Sequence, residues 1–225
     1  MIAVLVPVLD RPERVGPLVA SIEAASTLVT RIVFLVSPAD DEQLAACLAT
    51  DAMTVVVPFA LEGGDYARKI NYGVELTDEP WLFQAGDDLS FHRGWDREAM
   101  RLAERPTAHV IGTNDLGNPM VRSGAHSTHS LIRRAYIEEQ GTIDEPGKAL
   151  HEGYWHCWVD NELIETAKSR NAYFAARRSC VEHLHHIWRK GTDDATYRRG
   201  QERYTVDHRL FQRRRPLWRG RRVVS

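Results

Sequence analysis

Four short apolar runs, separated by helix-patterned stretches, constrain this chain more than any other feature. Residues 2–9 (IAVLVPVL), 31–37 (RIVFLVS), 53–58 (MTVVVP) and 81–85 (WLFQA) all fall in the first hundred positions. They are strand-sized, rich in Val and Ile, and lack the alternation of a half-solvated strand, so they read as strands buried on both faces. Pro7 falls near the end of its run, where a proline is tolerated. Between the runs, Val15, Leu18, Val19 and Ile22 have helical spacing behind Pro12, which suits a first turn. Pro38–Asp41 is a turn with acids placed to start a helix over 42–48. Residues 62–65 form a loop, and Tyr66, Ile70 and Val74 share one side of a helix over 66–76. The order β-α-β-α-β-α-β predicts an α/β fold with a parallel sheet covered by helices on both faces.

The second half is less regular. Strands are predicted at 109–112, 127–132, 173–176 and 180–185. A helix starts near Arg134, residues 141–147 form a loop, and Leu163, Ile164 and Ala167 set a helix over 158–170. The remainder is basic and helical. With 225 residues, at roughly 150 per domain, one domain over 1–205 with an appended arm over 206–225 is expected. No apolar run approaches the roughly 20 residues of a membrane span. The opening Met-Ile-Ala-Val has no basic leader of the secretory kind. Cys47, Cys157 and Cys180 are far apart and form no CxxC pair, which fits ordinary buried thiols in a reducing, cytoplasmic setting.

The net charge of −2 hides an asymmetry: residues 1–100 carry 7 Lys/Arg against 16 Asp/Glu, residues 101–225 carry 22 against 15. Seven arginines and no acid lie between Arg209 and Arg222. Such a segment either binds an anionic partner or pairs with acids of its own chain.

Ligands of parallel α/β sheets bind at the carboxyl ends of the strands. The polar residues there are Asp10 and Arg11, then Ser37, Asp40 and Asp41, then Glu62 to Asp65, then Asp87 and Asp88. No GxGxxG follows the first strand and no GxxxxGK[ST] is present, which argues against a dinucleotide cofactor and excludes a P-loop. Two adjacent carboxylates at the tip of a buried strand repel each other, and a divalent cation with a preference for oxygen ligands resolves the conflict. The plainer reading is a turn that caps the next helix. In a strand, His183 and His185 of Glu182-His-Leu-His-His186 would share a face. They would suit a metal with some nitrogen affinity, or be an ordinary histidine group.

These segments resemble the GT-A glycosyltransferases, in particular the family 2 inverting enzymes. Residues 2–22 are similar to the family's opening strand, polar loop and helix. Gly64-Asp-Tyr-Ala-Arg-Lys-Ile-Asn71 resembles its G-x-x-x-A-R-N-x-G segment, with Lys69 in the usual Asn position. Residues 81–89 (WLFQAGDDL) resemble the strand that ends in D-x-D, with Gly86 where the first acid stands. The resemblance implies a GT-A, Rossmann-like nucleotide-diphospho-sugar transferase fold with a mostly parallel central sheet flanked by helices. Residues 1–100 would be the nucleotide-binding half and 101–205 the acceptor and metal half. It implies a nucleoside diphosphate sugar as donor and Mn²⁺ or Mg²⁺ on Asp88, with His183 or His185 completing the shell. Pro7, Asp10, Arg11, Ser37, Asp40, Arg68 and Asp87 would form the nucleotide-sugar pocket. The family's late general base matches Val159-Asp-Asn-Glu162, with Asp160 first and Glu162 second, flanked by Trp155, His156 and Trp158. Residues 188–191 and 197–199 match a late loop that closes over the diphosphate, or a solvated basic helix. Residues 113–115 and 124–130 fall on the acceptor side. Compact enzymes of this kind in bacteria and bacteriophages act on hydroxyls of modified DNA bases, proteins or glycans, in the host cytoplasm where viral. Two rival readings remain: a sugar nucleotidyltransferase, whose glycine-rich loop is missing after the first strand, and a degenerate domain binding nucleic acid or protein through its arginines.

Overall fold

The computed structural model describes residues 1–59 and 65–219. The elements run β1 (Ile2–Val8), a 3-10 turn (Pro12–Arg14), α1 (Val15–Ala25), β2 (Thr30–Val36), α2 (Asp41–Leu48), β3 (Met53–Val56), α3 (Tyr66–Glu75), β4 (Trp81–Gln84), β5 (Leu89–Phe91) and α4 (Trp95–Ala103). They continue with β6 (Val110–Asn114), α5 (Pro119–Arg122), β7 (Ser130–Arg133), α6 (Arg134–Glu139), α7 (Val159–Ser169), β8 (Tyr173–His183), a 3-10 turn (His186–Trp188), α8 (Ala195–Gln201) and α9 (Tyr204–Arg219).

The eight strands form one sheet in the order β3-β2-β1-β4-β7-β6-β8-β5. β1, β2, β3 and β4 are parallel to one another. The expected parallel half is therefore present, but β7 runs against both β4 and β6, and β5 against β8. β1 is an interior strand covered on both faces, which is why its side chains read as one apolar run. Ile2, Val4, Val6 and Val8 face a layer with α1 and α4, while Ala3 and Leu5 face α3 and α7. Phe83, Phe91 and Trp95 close the first layer with ring centroids 4.8–5.6 Å apart. Each such pair adds about 0.5–1.5 kcal/mol beyond its area burial. Gly73 lets α3 lie on the sheet: a Cβ there would stand 3.0 Å from Leu35 and 3.1 Å from Leu5.

Several sequence expectations change. β5, α4 and α5 lie where no element was expected. Residues 173–183 are one strand rather than two, so His185 lies beyond its end. The segment expected as an arm is, over 206–219, part of α9, which packs on α7. Phe211 and Trp218 are buried and Arg214 pairs with Glu162 and Asp144. The helix forms because Leu210, Phe211, Arg214 and Trp218 recur at helical spacing toward the core, a stripe that the arginine count obscures. The Glu62–Gly64 loop, Arg221 and Arg222 lie outside the described residues. Among the described residues no helix is long and apolar enough to cross a membrane.

Candidate active site

A cleft of about 880 Å³ opens at the carboxyl ends of β1 and β4. One wall carries Pro7, Val8, Arg11, Asp65, Tyr66, Lys69 and Gly86–Asp88; the opposite wall carries His126, His129, Trp155–Asn161 and Lys168; His183, His185 and Tyr197 close the end. The sheet edge makes this convergence. β5 begins at Leu89, directly after Asp88, and pairs antiparallel with the end of β8 in the register Leu89↔His183. The Leu184 N–H donates to the Asp88 carbonyl at 2.8 Å. Strand pairing thus brings together two residues 95 positions apart.

Asp88 is the most engaged group. Its Oδ2 lies 3.0 Å from His183 Nε2 and accepts from the Tyr197 hydroxyl at 2.7 Å. Burial pushes its carboxyl up, but His183 and these hydrogen bonds outweigh burial and hold it well below the usual range. Asp87 moves the other way, raised by burial and by Asp88 against the opposing effect of Arg11 and Arg14. At Gly86, where the resembled motif carries its first acid, a Cβ would come within 2.9 Å of Asp88 Oδ1.

Arg11 is the hub of the entrance. It donates to Asp87 at 2.9 Å and grips Asp194 with two bonds of 2.7 and 3.0 Å. Its guanidinium lies 4.1 Å from the centre of the Tyr197 ring. Arg14 adds a 3.0 Å bond to the same Asp194. Asp194 also caps α8 by accepting from the Tyr197 N–H. The late segment 194–199 is thereby fastened across the loop after β1, and Arg199 reaches Asp10 at 3.0 Å.

Lys69 is buried in the floor. Its ammonium donates to the Val8 carbonyl at 2.8 Å and to Ser37 Oγ at 2.5 Å, and burial lowers its pKa to about 8. On the far wall, Asp160 lies in the first turn of α7, where the helix N-terminus favours an anion. Its Oδ2 is 3.2 Å from His126 Nε2 and its Oδ1 accepts from the Asn161 N–H. Burial raises the Asp160 carboxyl, but these partners win and lower it. Burial pushes His129 down to about 3 and His185 to about 4, so both imidazoles stay neutral.

Of the residues singled out in the sequence, Pro7, Arg11, Asp87, Asp88, Asp160, His183 and His185 line this cleft. Ser37 stands behind the wall under Lys69, and Asp10 and Asp40 sit outside it, joined by a bond from the Asp10 N–H to the Asp40 carboxylate. Arg68 packs over Phe59 with its centre 4.2 Å from the ring. Glu162 is corrected: it is absent from the cleft, buried against Arg214 and accepting from the Tyr154 hydroxyl at 2.8 Å. Asp144, His151 and Glu162 approach one another closely enough to suggest a cation site, but the Arg214 guanidinium already bonds both carboxylates at 2.6–2.9 Å. Sequence reasoning missed the Asp194 and His126 contacts, because partners 183 and 34 positions away leave no local pattern.

No family model matches the chain, and no curated protein does. Solved structures do. Glucosyl-3-phosphoglycerate synthase from Mycobacterium tuberculosis, in complex with Mn²⁺, UDP and phosphoglyceric acid, superposes with a TM-score of 0.63 at 13% identity, over 95% of this chain and 78% of that one. A mannosyltransferase from Pyrobaculum calidifontis, in complex with GDP-mannose and Mn²⁺, gives 0.67 at 13% identity, over 98% and 73%. Residues 1–349 of S. aureus TarS give 0.63 at 10% identity, over 98% of this chain and 78% of that fragment.

The fold is GT-A. In this GT-A domain the cleft lies at the carboxyl edge of the parallel strands, where such sheets bind ligands. Among the acids that line it, Asp88 and Asp160 come from opposite halves of the chain.

Proposed function

We propose that the protein is a metal-dependent, inverting glycosyltransferase that moves a sugar from a nucleoside diphosphate sugar to a hydroxyl acceptor. The observation that carries this reading is the placement of Asp88, His183 and Asp160 around one cleft in a GT-A frame.

The residues fit a divalent cation. Asp88 Oδ2 and His183 Nε2 are 3.0 Å apart, close enough to share one ion in place of their hydrogen bond. The imidazole favours Mn²⁺ over Mg²⁺. When bound, such an ion neutralises charge on the diphosphate leaving group. Arg11 sets a planar cation beside Asp87, suited to phosphate oxygens. Lys69 presents a buried donor on the nucleotide side. Asp160 is the base. It takes the acceptor's hydroxyl proton as the acceptor oxygen forms its bond to the anomeric carbon. The bond from that carbon to the phosphate oxygen breaks, and its electron pair leaves with the nucleoside diphosphate. Attack opposite the leaving group inverts the centre. Neutral His129 and His185 line the site without adding charge.

The acceptor is proposed as a hydroxyl of a modified DNA base, a protein or a glycan, taken up beside Trp155 and Trp158. The exposed Arg209, Arg213 and Arg219 of α9 are the proposed contacts for an anionic partner. A thermal-shift screen of nucleoside diphosphate sugars with Mn²⁺ tests the reading. The true donor should raise Tm through ligand linkage, and Asp88→Ala should abolish the rise. A flat response across uridine, guanosine, adenosine, cytidine and thymidine donors would refute it.

A further inference from the structure

His126 is a residue that neither the glycosyltransferase reading nor the fold assigns. It leaves the loop between α5 and β7 and meets Asp160 on the same wall of the cleft, with Nε2 and Oδ2 3.2 Å apart. Both are largely withdrawn from water, with side chains 12% and 21% exposed. The loop that carries the imidazole is fastened: the His126 N–H donates to the Met120 carbonyl at 3.2 Å, and its carbonyl accepts from the Tyr173 hydroxyl at 3.0 Å. The next residue, Ser127, is fully buried and donates to the His129 carbonyl at 2.7 Å.

Asp160 is fastened from the other side. α7 begins directly after Trp158, which holds φ +70°, a left-handed conformation that a bulky residue adopts only when its surroundings impose it. That start puts Asp160 in the first turn, with Oδ1 on the Asn161 N–H. The helix end fixes one carboxylate oxygen and His126 the other.

We propose that His126 is a positioning residue for the base. It holds the Asp160 carboxylate ionised and turned toward the acceptor by donating its Nε2–H to Oδ2. The inference rests on the reading of Asp160 as base. The other titratable groups that feel the Asp160 charge are His129 at the foot of β7, His156 and Cys157 ahead of α7, Tyr66 on α3 and His183 at the end of β8. Of these side chains, His126 is the one that bonds the carboxylate.

The test compares His126→Leu with His126→Gln, which keeps an N–H donor, using transfer of the donor sugar to water as the turnover read by nucleoside diphosphate release. His126→Leu should lower kcat roughly tenfold to a hundredfold with little change in KM, the scale of a lost hydrogen bond to a charged group. The acid limb of its pH–rate profile should move to higher pH, and His126→Gln should recover most of the loss. In an Asp160→Asn background, His126→Leu should cost almost nothing further. A ¹³C titration of the Asp160 carboxyl in the full chain reads the same contact without turnover, and its midpoint should rise in His126→Leu. An unmoved midpoint, or equal losses with and without Asp160, would overturn the proposal. Absence of donor binding by the wild type, with the midpoint shift intact, would count against the glycosyltransferase reading and leave this contact standing.

Discussion

Two arginines in this molecule are each buried between two acids, and they do opposite work. Arg11 holds Asp87 and Asp194 at the mouth of the cleft; Arg214 holds Glu162 and Asp144 on the far side of α7. Their exposure is similar, at 6% and 12% of the side chain. Both stay protonated, because the paired carboxylates outweigh the burial that lowers an arginine's pKa. What differs is the company. Arg11 sits beside Asp88 and Tyr197 at the carboxyl edge of parallel strands. Arg214 sits between two helices and fastens α9 to α7. A buried ion pair is therefore weak evidence for a site; its place relative to the sheet decides.

The sharpest way to break this comparison is to attack one acid from each side of α7. Asp160→Asn should lower kcat about 10²- to 10⁴-fold with nucleoside diphosphate affinity intact, while Glu162→Gln should keep kcat within about threefold. Steady-state kinetics against calorimetric binding separates the two, and equal kinetic losses would erase the distinction. Next in size, Arg214→Leu leaves Glu162 buried and unpaired. It should cost about 3–5 kcal/mol in urea unfolding without moving donor affinity.

On the cleft side, Asp194→Asn keeps the cap on α8 but removes the charge that occupies Arg11 and Arg14. We expect nucleoside diphosphate with Mn²⁺ to bind a few-fold tighter, a gain of up to about 1 kcal/mol, measured by calorimetry. Weaker binding would show that Asp194 supports the site instead of competing for it. A further expectation concerns Lys69, a buried cation bonded to a carbonyl and a hydroxyl. Folded, it releases its proton near pH 8; unfolded, near 10.5. Between these values the unfolded chain binds more protons, so stability should rise with pH across that window. Denaturation of Lys69→Met should lack the rise.

The contrast also shows what was readable in the residues. The β1–β4 core was legible because strands buried on both faces need unbroken apolar runs. The acid pair after β4 was legible because that position is where parallel sheets present ligands. Asp160 was expected as the base with Glu162 second, and two residues on a helix are about 200° apart. Only one could face the cleft, and that much followed from spacing alone. The arginine run concealed α9, since its apolar stripe of Leu210, Phe211 and Trp218 is thin against the charges around it.

By itself the sequence determined the parallel half of the sheet, the strand tip that bears Asp87 and Asp88, and the helix that carries Asp160, since each depends on local periodicity. Tertiary structure alone decided that β5 pairs with β8, which sets His183 on Asp88, and that loops 183 residues apart meet at Arg11 and Asp194. It also decided which acid of α7 meets an imidazole and which meets an arginine. Such pairings are chosen by how strand edges and helix faces close around the core, and that closure leaves no trace in the spacing of residues along the chain.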